Sequence, residues 1–176
     1  LNLLNQSMRD LGALPVWIQT SASTHAISGW NNYAGLQSQE GWARRSEELS
    51  PGHKGYALHP DLDVRDNDLL SVKTRFSAFI QGSSDLHNVL IDKEIDTLLV
   101  TGVATGVCCE STARDAMMLN YRVIMVSDAL AALTIEAHEN ALMSLFGLFA
   151  DVQKTNQILE HASLDTTREF IAEQQV

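Results

Sequence analysis

The 176 residues carry a formal net charge of −10, with 45% hydrophobic and 19% charged side chains, the balance of one globular domain with a real core. The excess of acids speaks against nucleic acid or an anionic membrane as partner, since either would want a basic patch, and Arg44-Arg45 is the nearest thing to one. No apolar run approaches the ~18 residues of a spanning helix, and two adjacent cysteines make no disulfide framework, so a reducing, cytoplasmic setting is expected.

Taken in order, residues 1–11 place Leu1, Leu4, Met8 and Leu11 on one face of an amphipathic helix stopped by Gly12. "LPVWIQT" (14–20) reads as a buried strand. Residues 21–67 form a long polar stretch with Trp30, Tyr33 and Trp42 embedded, expected to be a lid or an oligomer contact. "DLLSVK" (68–73) is a second strand, and Ser84 or Asp85 caps a helix carrying Leu86, Val89 and Leu90. "DTLLVTG" (96–102) is a third strand, "GVCCESTARDAMMLN" the helix after it, and "YRVIMVS" (121–127) a fourth strand. A strong amphipathic helix spans 134–149, "ADVQ" (150–153) is a short strand, and Thr155 caps a last core helix. Residues 165–176 are a polar tail.

Strands alternating with helices of this length predict βαβ units, hence a three-layer α/β/α fold with a parallel, doubly wound sheet in a single domain. Such folds usually open on a strand, whereas this sequence opens on a helix, so a first strand is expected to be missing from it.

The only cysteines are Cys108 and Cys109. In open α/β sheets ligands bind at the carboxyl ends of strands, and the turn after Gly102 delivers Cys108 to the first turn of the next helix. There the helix dipole and unpaired N–H groups lower a thiol pKa, and the thiolate is the reactive form. Helical spacing puts Cys109 on the apolar stripe of Ala113, Ala116 and Met117, and Cys108 on the polar line of Thr112 and Asp115. That favours a nucleophile at 108 and core at 109, with plain core filling, a dithiol switch and a metal site as the alternatives.

"TGVATGVCCESTARDAMMLNYRVIMVSDALAA" (101–132) resembles the nucleophile segment of the isochorismatase-like cysteine hydrolases, and "VKTRFSAF" (72–79) resembles that family's other signature. In wording the sequence is most similar to ureidoacrylate amidohydrolase-like members. The resemblance implies Cys108 as nucleophile, Lys73 as catalytic lysine, and an oxyanion hole of the Ala104 and Cys108 amides beside a cis peptide at Val103–Ala104. It makes Ser77, Phe79, Thr105, Trp30 and Tyr33 candidate substrate-binding walls. The family's third catalytic residue, an aspartate in a D-M-Q-like segment, has no counterpart in this sequence. Asp128 corresponds to a structural turn or cap residue. Gly106 stands where Asn or Asp is common, and Cys109 where Val is usual.

The nicotinamidase branch of the family carries an Asp/His metal cluster, and "QTSASTH" offers only His25, so no metal or other cofactor is expected. The implied activity is metal-independent hydrolysis of a small amide, ureido or carbamoyl substrate, by a homo-oligomer. A catalytically incomplete scaffold and a vicinal thiol sensor are the alternatives.

Overall fold

In the computed structural model of the chain, residues 1–22 and 30–162 are described. They divide into two compact units, residues 1–15 with 96–162, and residues 16–22 with 30–95. Every strand pairing is parallel, as the alternating pattern predicts.

The first unit opens with α1 (Asn2–Asp10). Leu4 is its buried residue, and Leu4, Val126 and Ile158 form a core onto which Met8, Leu99, Ile124, Ala129 and Leu159 pack. Leu1 and Leu11, expected on the same stripe, stay largely exposed at the helix ends.

In the second unit, β1 (Val16–Thr20) runs beside β2 (Leu69–Lys73) in register from Val16↔Leu69 to Thr20↔Lys73. Only Trp17 of β1 is buried, so the strand is half-covered rather than the buried run expected. Trp17 Nε1 donates to Asp68 Oδ2 at 2.7 Å, which satisfies its polar tip. The long polar stretch is not a plain loop. It holds α2 (Asn31–Gly35) and α3 (Gln39–Glu48), the second started by Ser38, whose hydroxyl accepts from the Gly41 amide at 3.0 Å. The unit closes with α4 (Leu86–Asp92), which buries Leu86 and Leu90. Ser84 Oγ, not the Asp85 side chain, accepts from the Leu86 amide near its start.

Back in the first unit, β3 (Thr97–Val103) pairs with β4 (Arg122–Ala131), and β4 with β5 (Asp151–Gln153), giving the order β3-β4-β5. Strand β4 runs four residues past its expected end, and its register against β3 shifts between Val100 and Gly102.

Between β3 and β4 lies α5 (Glu110–Met118). It ends in a Schellman turn: Asn120 takes φ +72°, its amide donates to Met117 O, and the Tyr121 amide donates to Ala116 O. Asparagine is the residue other than glycine that most readily accepts that backbone. Helix α6 (Ile135–Leu145) starts at Thr134, whose hydroxyl accepts from the Ala137 amide at 3.1 Å, and it stops short of 149. The chain turns there through Gly147 at φ +76°.

Residues 155–162 are helical, and Asp128 Oδ1 accepts from the Thr155 amide and hydroxyl at 2.8 and 2.9 Å. Asp128 thus holds the start of that helix from within β4. Among the described residues no helix is long and apolar enough to cross a membrane. The expected tail, 165–176, lies outside the described residues.

Candidate active site

Cys108 is not in the first turn of an α-helix. The chain leaves β3 through Gly102 at φ +103°, a backbone that side chains rarely adopt, and then forms a π-turn, Thr105–Cys109, ahead of α5. In this wider winding the Glu110 amide reaches back to the Thr105 carbonyl, while the Ala104 carbonyl accepts from the Val107 and Cys109 amides at 3.0 and 3.3 Å. The peptide between Val103 and Ala104 is cis.

The two cysteines separate as helical geometry requires. Cys109 is 5% exposed beside Ala113 and Ala116, both fully buried, and its thiol donates to Thr101 O at 3.7 Å. Cys108 is half-buried. Its line along the helix is less polar than expected, since Thr112 is itself buried.

Thr105, expected as a pocket wall, is fully buried, with Oγ1 2.9 Å from Nδ1 of His138 on α6. Gly106 lies against the same helix: a Cβ there would stand 3.4 Å from Ala141 Cβ and 3.7 Å from the Ala137 carbonyl. Around the turn, Ala104, Gly106, Val107, Ala132, Leu133 and Ala137 line a largely apolar cavity of about 340 Å³, with Glu110, Asn140 and Ser144 as its polar edge. Arg114 holds that edge, donating to Glu110 Oε1 at 2.7 Å and lying over the Phe149 ring at 4.1 Å.

The other unit holds the remaining expected residues. Lys73 ends β2, is 4% exposed, and its Nζ donates to Arg75 O at 2.8 Å. Ser77 is buried too, and its Oγ accepts from the Phe79 and Ile80 amides at 3.0 and 3.3 Å, so the hydroxyl braces its own turn. Phe79 meets the His87 ring edge-on at 6.3 Å. Trp30 and Tyr33 stack at 4.4 Å, both contact Phe76, and Tyr33 also meets Trp42. The Arg75 guanidinium lies 4.9 Å over Trp30. His25 lies outside the described residues, and among those described no group of three or more His, Cys, Asp or Glu could hold a metal ion.

The parallel strands and the helices between them define an α/β protein, and a cis peptide and a half-buried cysteine both follow its strand β3. The chain belongs to the isochorismatase family, whose domain matches residues 1–157. It is 30% identical to the isochorismatase family protein YecD of Escherichia coli O157:H7 over 74% of this chain and 69% of that protein. It is 29% identical to the ureidoacrylate amidohydrolase RutB of Klebsiella pneumoniae over 93% of this chain and 73% of that protein. With YwoC of Bacillus subtilis the identity is 35%, and the chain spans about half of that protein's length (57% of this chain, 52% of YwoC). Among solved structures, an isochorismatase-like hydrolase from Alkaliphilus metalliredigens superposes with a TM-score of 0.71 at 28% identity, covering 90% of this chain and 81% of that one. The nicotinamidase PncA of Bacillus subtilis shares the fold, with a TM-score of 0.70 at 24% identity over 87% of this chain and 81% of that one.

Proposed function

We propose that the protein is a cysteine hydrolase of small amide, ureido or carbamoyl compounds, with Cys108 as nucleophile. The observation that carries this is the half-buried Cys108 in a π-turn that directly follows the strand-end Ala104. The Cys108 thiolate attacks the substrate carbonyl carbon, a C–S bond forms, and the carbonyl electron pair moves to oxygen. The Ala104 and Cys108 amides receive that oxyanion. Its collapse breaks the C–N bond, and ammonia or an amine leaves with a proton taken from water. Water then attacks the thioester, the C–S bond breaks, and an acid and the free thiolate result. RutB, a ureidoacrylate amidohydrolase by name, supports a ureido acid as the substrate class.

A second reading is a scaffold without turnover. Ammonia release from a panel of primary amides, ureido acids and carbamoyl amino acids separates the two. The hydrolase reading expects turnover by the wild type and none by Cys108→Ser. Silence across the whole panel supports the scaffold.

A further inference from the structure

We propose that His138 is a positioning residue for the reactive turn, acting through the Thr105 hydroxyl; this rests on the cysteine hydrolase reading above. Thr105 opens the π-turn, directly after Ala104 and three residues before Cys108. Its carbonyl accepts from the Glu110 amide, and its side chain, wholly enclosed, meets His138 Nδ1 at 2.9 Å. The hydroxyl donates when Nδ1 is unprotonated and accepts when Nδ1 carries the hydrogen.

His138 lies on the face of α6 shared by Thr134, Ala137, Ala141 and Leu145, which recur at helical spacing. Gly106 packs on Ala137 and Ala141 of that face, a contact that is close but not directional. The Thr105–His138 bond supplies the direction. One residue further along the chain than the π-turn, Glu110 accepts from Ser144 of α6 at 3.1 Å and from Arg114, so the segment is also tied at its far end. Breaking the Thr105 tie frees the near end, which carries Ala104 and leads to Cys108. An enclosed hydroxyl left without its partner is costly, which favours arrangements of the turn that give it another.

The test uses the full chain with Cys109→Ala, so that Cys108 is its one thiol, and five further variants: His138→Leu, His138→Asn, Thr105→Val, Thr105→Ser, and His138→Leu combined with Thr105→Val. Each is measured for kcat and KM on an amide from the panel, and for the rate of Cys108 alkylation by iodoacetamide. A misplacement of the turn predicts that His138→Leu and Thr105→Val each lower kcat by roughly 10- to 100-fold, with KM little changed. The two together lose no more than either alone, because they cut one link. His138→Asn, whose amide oxygen can reach the Nδ1 position, and Thr105→Ser recover most of the loss. Alkylation slows in the same two variants and recovers in the same two. Wild-type kcat and alkylation in His138→Leu overturn the proposal, as does a loss that Asn does not rescue. If no amide is turned over by the wild type, the hydrolase reading falls, and the alkylation series alone still decides whether His138 positions Cys108.

Discussion

At the scale of single residues, the two neighbouring thiols divide by direction alone. Successive residues of a helical winding point in different directions, and Cys109 goes among Ala113 and Ala116 while Cys108 stays half-buried. That division was legible in the spacing of the apolar positions. The partner of Thr105 was not, because His138 lies 33 residues away and a single histidine on an amphipathic helix gives no sign of what it faces. For Cys109→Ala the loss is one buried sulfur and a long thiol hydrogen bond, so unfolding in urea should show a cost of about 1 kcal/mol, while Cys108 alkylation keeps its rate. A stable Cys109→Ala protein whose Cys108 no longer reacts would contradict the division.

Among the elements, the contact between the π-turn and α6 sets what residue 106 can be. Gly106 has no left-handed φ that would demand glycine, so the restriction is space: a Cβ would stand 3.4 Å from Ala141 Cβ and 3.7 Å from the Ala137 carbonyl and the Glu110 carboxylate. Gly106→Asn, which restores the residue common in the family, should lower stability here by about 1–3 kcal/mol through overpacking. Gly106→Ala should cost far less, and thermal unfolding of the two compares them. Equal stability of the Asn variant and the wild type would show that α6 yields.

Within β4, the Asp128 carboxyl is raised by burial, but the Thr155 amide and hydroxyl and the charge of Lys154 outweigh that and hold it below its ordinary value of 3.8. A carboxyl lower in the folded chain than in the unfolded one stabilises the fold above the unfolded value and loses that contribution as pH falls through the folded one. Asp128→Asn keeps an acceptor for Thr155 and removes the titration. Its stability should therefore fall less steeply than the wild type's below about pH 4, as followed by urea midpoints across pH. Parallel acid limbs for the two proteins would assign the acid loss to other groups.

For the molecule as a whole, the order of strands and helices was readable because buried strands and amphipathic helices leave periodic apolar marks. Helices α2 and α3 left none: neither buries a residue fully, and α3 is nearly all polar, so composition read as loop. The π-turn was hidden for a different reason. A switch from i+4 to i+5 bonding over five residues shifts the apolar pattern too little to register. The family's two signature segments fell into different compact units, with Lys73 in one and Cys108 in the other. The chemistry itself is tested most directly by the mass of the full chain during turnover. Wild-type protein mixed with a hydrolysed amide and quenched in acid should carry the acyl group on the peptide containing Cys108, and Cys108→Ser should carry none. An acyl group on Cys109, or undiminished hydrolysis by Cys108→Ser, would contradict the account.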